Sequence, residues 1–160
     1  MTTVLRHLLA TLAYRASKVV RDAPADFPHA SFGPATRPPV RILGHMGDLL
    51  DWALSLTRGE SIWAASGGLD WDAEVERFFA RLEQLDLQLE QPLPREAAEK
   101  LIQGPLADAL THVGQLALLR GLHGAPIRPE SYARAPIAAG QVGLQQPPPG
   151  REFDGDASAR

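Results

Sequence analysis

A chain of 160 residues with 16 Lys+Arg against 19 Asp+Glu carries a formal net charge of −3 and is long enough for one real core. That mild acidity excludes a generic nucleic-acid coat, which needs a basic face to release counterions. The absence of cysteine excludes disulfide scaffolds, thiolate metal sites and cysteine nucleophiles.

The prolines sort the chain. Five fall between Pro24 and Pro39, two at Pro92 and Pro94, and six from Pro126 to Pro149, which leaves Pro105 alone inside a periodic stretch. Proline removes a backbone donor and clashes with the preceding turn, so regular structure is expected between the clusters. The first predicted helix runs roughly from Thr3 to Asp22, with Leu5, Leu8, Leu9, Leu12, Ala16, Val19 and Val20 at helical spacing. Its basic, acid-free composition also suits a transit peptide. The helical stripe favours an amphipathic helix of the mature protein, and its apolar runs are too short for a membrane span. The expected compartment is the cytoplasm, with no membrane partner.

A proline-rich loop follows, from Ala23 to about Arg37. The second helix starts near Pro39, a favourable first-turn residue, and ends before Gly59. Its apolar set is Ile42, Leu43, Met46, Leu49, Leu50, Ala53 and Leu54. Asp70 is the expected N-cap of the third helix, with Asp72 and Glu74 in the first turn to suit the dipole. Its stripe is Trp71, Val75, Phe78, Phe79, Leu82, Leu85 and Leu89. The fourth runs from about Pro94 to Gly121, with Glu96 and Lys100 as an exposed i,i+4 pair. Gly104-Pro105 is expected to kink it or split it in two. No segment alternates as a strand does. Four amphipathic helices that must bury their stripes on one another predict an all-α four-helix bundle. The first connection is long enough to cross the end of the bundle. Residues 1–143 are expected to form the bundle with an irregular C-terminal arm, whose stretch from Tyr132 to Val142 is expected to close over the bundle mouth. Residues 144–160 read as a flexible Pro/Gly-rich polar tail.

Function in a bundle sits where the apolar stripe is interrupted. Asp108, His112 and Gln115 fall at i, i+4 and i+7 of the fourth helix and share one face. A carboxylate and an imidazole one turn apart can grip one metal ion from a single helix. His45 on the second helix, followed one turn later by Asp48, offers the partner, and Gly44 and Gly47 leave room for another backbone to approach. Two histidines and one carboxylate with open positions suit a catalytic divalent ion better than a closed structural site. Taken singly, His45 also fits a half-buried core histidine, and Asp108 with His112 an exposed i,i+4 pair. Asp48 reads as a solvated or ligand-orienting carboxylate and Gln115 as a hydrogen-bond partner. His7, His29 and His123 are assigned to surface or loop. The three tryptophans read as core or loop anchors, and no phosphate loop, nucleophile elbow or basic stripe is visible.

These residues resemble a known family. ILGHMGDLLDWAL in the second helix, LDWDAEVERFFARL in the third and QGPLADALTHVGQLALLRGLHGAPI in the fourth are similar to the DinB/YfiT-like superfamily of metal-dependent four-helix bundles. The likeness covers roughly residues 3 to 143 and is strongest around THVGQLALLR. It implies an up-down-down-up helix order. It also implies a metal set of one histidine from the second helix and two, four apart, from the fourth. By position these are His45, position 108 and His112. This chain departs at one of them, since position 108 is Asp, which is still a competent oxygen ligand.

The resemblance implies a divalent-metal-dependent enzyme acting on a small molecule, with no nucleic acid partner and a homodimer as a plausible assembly. Zinc or nickel is the favoured ion, with iron or manganese as alternatives. The leading activity is thiol-dependent S-transfer, in which the metal activates a low-molecular-weight thiol and Gln115 or Asp48 orients a ligand. The alternatives are a metal-dependent hydrolase, or a non-catalytic helical stress or interaction protein with a vestigial site.

Overall fold

The computed structural model describes residues 1–153, so the last part of the expected tail, 154–160, lies outside the described residues. These residues form an all-helical protein without a β-sheet; the one β-type pairing is an isolated antiparallel bridge between Glu130 and Glu152. Three long helices are α1 (Thr2–Val20), α2 (Pro39–Thr57) and α3 (Trp71–Gln88). A fourth is built in two halves, α4 (Arg95–Leu101) and α5 (Ala107–Leu122), joined by a π-helical turn over Ile102–Leu106. No helix among the described residues is long and apolar enough to cross a membrane.

Local chemistry explains the boundaries. Pro39 occupies the first turn of α2, where its missing N–H costs nothing. Gly59, at φ +77°, terminates that helix. The Glu60 N–H bonds to the Ser55 carbonyl and the Gly59 N–H to the Leu56 carbonyl, the pairing of a Schellman cap that needs a left-handed residue. Asp70 caps α3 by accepting from the Ala73 N–H at 2.9 Å. The interruption expected at Gly104-Pro105 takes the form of a π turn that divides the fourth helix into α4 and α5. A wider turn accommodates the proline without ending the helix, and Gly104 lies where a Cβ would meet the Trp52 ring at 3.1 Å.

The apolar stripes meet in one core. Leu5, Leu9 and Leu12 of α1, Leu43, Met46 and Leu50 of α2, and Phe78, Leu82 and Leu85 of α3 are almost fully buried, as are Leu101, Ala109 and Leu116 of the fourth helix. Each such leucine or phenylalanine contributes roughly 1.5–3 kcal/mol by burial, so packing rather than propensity holds the helices. α2 lies against both α3 and α5, and α1 against both α5 and α3. Polar pairs stitch these contacts. Arg6 makes a two-pronged bond to Asp86, at 2.9 and 2.7 Å. Arg77 reaches Gly44 and Asp48, Arg81 reaches Asp51, and Thr57 reaches Gln88. At the end of α1 the Arg120 guanidinium donates to the carbonyls of Val19, Arg21 and Asp22, serving groups that the helix itself leaves without a partner.

The C-terminal arm takes a path other than the one expected. It runs along α1, not over the mouth between α2 and α5. Tyr132 packs edge-on to Tyr14, with the Arg15 guanidinium 3.9 Å above its ring. Val142 is buried in the core. The buried Glu130 carboxylate accepts from the Tyr14 hydroxyl and from Lys18, each at 2.8 Å, and Lys18 also binds Glu152 at 2.7 Å. Residues up to 153, inside the segment read as tail, are thereby tied back to α1.

Candidate metal centre

α2 and α5 bring together His45, Asp108 and His112. The i,i+4 spacing on α5 stacks Asp108 and His112 on one face, and the α2–α5 packing sets His45 opposite. His112 Nε2 stands 3.4 Å from Asp108 Oδ1, and His45 Nε2 stands 3.6 Å from Asp108 Oδ2. The two imidazoles meet edge to face, with ring centroids 4.9 Å apart. One ligand atom from each residue falls within 4.8 Å of the other two, so the cluster can hold a metal ion. Bonds of about 2.1 Å to a tetrahedral ion place neighbouring donors about 3.4 Å apart, which the two His–Asp distances already approach. The donor set is two nitrogens and a carboxylate, three ligands that leave coordination positions open.

Burial is graded. The His112 side chain is 13% exposed, His45 24% and Asp108 47%, so the imidazoles are anchored and the carboxylate faces the opening. Gln115, one turn beyond His112, presents its Oε1 2.8 Å from His112 Nδ1. An Nδ1–H donates to that oxygen, which orients the ring with Nε2 facing Asp108, as metal sites require.

Asp48 stands elsewhere. Its Oδ1 accepts from the amides of Ser66 and Gly67 at 3.0 Å and from Arg77 at 2.9 Å. Arg77 also binds Glu74, Asp51 and the Gly44 carbonyl. Burial opposes the charge of Arg77, but the carboxylates of Glu74 and Asp48 outweigh it and raise its pKa above the ordinary value. The expected orienting role of Asp48 therefore takes a different form: this carboxylate holds the 66–68 loop against α2. Gly67 permits that approach, because a Cβ there would come within 3.1 Å of the Gly44 backbone. A Cβ at Gly47 would run into the Arg77 guanidinium.

Sequence reasoning passed over two features of the surroundings. Trp63, on the loop after α2, lies edge-on to His45 with centroids 5.6 Å apart and roofs one side of the cluster. Two cavities share His45 and Arg37. One, of about 530 Å³, is lined by Ile42, His112, Gln115, Leu118 and Leu119. The other, of about 370 Å³, is lined by Arg41, Gly44, Asp48, Trp63 and Gly67. Arg41 was detectable, since it sits four residues before His45 on the same helix face; Trp63 carried no such spacing signal. His7 and His29 are exposed, and His123 binds Asp26 at 3.1 Å at the far end of α5, away from the cluster. No protein-family model, no curated protein and no solved structure matches this chain.

Proposed function

We propose that the protein is a divalent-metal-dependent enzyme of the DinB type that carries out thiol-dependent S-transfer on a small molecule. One observation carries this reading: two imidazole Nε2 atoms and a carboxylate converge from two helices, with one imidazole held in its ligand tautomer by Gln115. Direct pairings support the helix order of that family. Gly44 and Asp48 pair with Arg77, Asp51 with Arg81 and Thr57 with Gln88, so numbers climb together along α2 and α3. His45 meets Asp108 and His112, while Trp52 meets Gly104, so they run oppositely along α2 and the fourth helix. Arg6 meets Asp86, and Arg120 meets Val19, so α1 opposes α3 and accompanies α5. These directions support an up-down-down-up order.

His45, Asp108 and His112 would hold a divalent ion, which would supply the Lewis acidity that activates a thiol. The protein's own groups do the rest. Asp108 brings one negative charge, which tempers the ion without closing the site. Gln115, bonded to His112 Nδ1, would hold that ring with Nε2 toward the ion. Trp63 shields one flank from water, and the cavity beside Ile42, Leu118 and Leu119 offers apolar walls to the electrophile. With no cysteine in the chain, the sulfur nucleophile has to come with a ligand.

The test is elemental metal analysis of untagged protein beside the His112→Ala variant. The reading expects near-stoichiometric divalent metal in the parent and a loss of at least about tenfold in affinity in the variant. Equal, sub-stoichiometric metal in both would overturn it. Omission of low-molecular-weight thiol from the assay then separates S-transfer, which stops, from hydrolysis, which does not.

A further inference from the structure

The cavity on the Trp63 side of His45 has a charge that the metal site does not explain. Arg41, His45 and Asp48 lie at i, i+4 and i+7 on one face of α2, and Arg37 stands at the mouth of the same helix. Asp48 is already neutralised by Arg77 at 2.9 Å. The side chains of Arg37 and Arg41 have no hydrogen bond, ion pair or ring contact to any described residue, whereas Arg6, Arg77 and Arg81 are each engaged by carboxylates. Two uncommitted guanidinium groups thus border a cavity of about 370 Å³ whose lining also includes His45, Trp63, Gly67 and Gly68.

We infer that Arg37 and Arg41 form an oxyanion subsite, so that the small molecule acted on at His45, Asp108 and His112 carries a carboxylate or phosphate group. This rests on the metal-site reading for where the ligand reacts, but not for where its charge is held. The guanidinium fork matches either anion and is permanently charged, so the subsite does not depend on pH in the physiological range. Arg37 also lines the apolar cavity beside Leu118 and Leu119, so a ligand anchored there reaches both His45 and the apolar wall. The subsite assigns a direction to the ligand: acidic end toward the start of α2, reacting end toward α5.

The experiment is calorimetric titration of the full chain with 3-mercaptopropionate, 2-mercaptoethanol and inorganic phosphate, each into zinc-loaded and metal-free protein. The same titrations are run on the Arg37→Gln/Arg41→Gln double variant. A charge-assisted bond lost from the subsite corresponds to roughly tenfold in affinity. The parent is expected to prefer the mercapto acid over the neutral thiol by about that factor, with or without zinc, and the double variant to lose the preference. Chelation of zinc by the acid's own carboxylate survives the double substitution, so it cannot imitate this result. Tighter binding of phosphate than of the acid, again lost in the double variant, supports the subsite and assigns it to a phosphate-bearing ligand. Unchanged affinity of the double variant for both anions would overturn the inference. Zinc stoichiometry, read separately on each sample, judges the metal centre: a preference for anions in protein that takes up no zinc supports the subsite and refutes the metal reading alone.

Discussion

Glu74→Ala is expected to cost more than any exposed charge on this surface. Glu74 is fully buried, and its Oε1 accepts from the Gly68 amide at 2.8 Å and the Leu69 amide at 3.1 Å. Its Oε2 accepts from Arg77 Nε at 2.9 Å. The substitution strands three donors, each worth about 1–3 kcal/mol when left unsatisfied. Gly68 and Leu69 belong to an exposed loop and can recruit water, so they count at the low end. Arg77 keeps Asp48, Asp51 and the Gly44 carbonyl, so its loss is also partial. The sum is about 3 kcal/mol, which corresponds to a fall in Tm of roughly 6–12 °C for a domain of this size. Urea unfolding followed by far-UV circular dichroism measures it. Glu74→Gln, which keeps an oxygen for the two amides, should recover about half of the loss. A cost below about 1 kcal/mol for the alanine variant would refute the reasoning, because it would mean that water replaces every bond Glu74 makes.

Three further outcomes are expected. Gln115→Ala should lower zinc affinity by about 10–100-fold while leaving the fold intact, read by competition with a chelator, because His112 loses the partner that sets its tautomer. Burial and the bond to Glu130 raise the Tyr14 pKa above its ordinary value. The unfolded state therefore gives up this proton first, and the stability that the tyrosine contributes is complete below about pH 10 and declines as pH rises beyond it; Tyr14→Phe should flatten that alkaline decline in urea midpoints measured between pH 9 and 11.5. Gly67→Ala should destabilise by about 1–3 kcal/mol in the same assay, since the new Cβ meets the α2 backbone at Gly44, which cannot yield as a side chain would.

What the sequence disclosed follows the range of the interactions involved. Pro39, Gly59 and Asp70 act within one turn of themselves, and the helix limits they predicted agree with the structure to within a residue or two. The pairing of Asp108 with His112 was readable for the same reason, as four residues on a helix is a short distance. Placing His45 opposite them needed the order in which helices pack, which the family resemblance supplied and spacing did not. The Glu74–Arg77–Asp48 cluster ties Asp48 to an arginine 29 residues away through side chains of ordinary type, and nothing in a local pattern marks that link. Asp48 accordingly looked like a companion of His45, when most of its hydrogen bonding is spent on a loop.

The π turn governs how the fourth helix presents its ligands. A residue in an α-helix subtends about 100° of azimuth, and a π turn takes in one residue more than the α-helical count. The turn over Ile102–Leu106 therefore sets the phase of everything after it. α4 buries Ala98 and Leu101, and α5, re-phased, can bury Ala109 and Leu116 while aiming Asp108 and His112 at α2. Winding the same five residues as a regular α-helix, with no residue removed, would swing both ligands by roughly 100° from His45, with every ligand still present in the chain. The candidate metal centre thus depends on the shape of this turn as well as on its side chains, and a homologue one residue shorter here would keep the same phase with a plain α-helix.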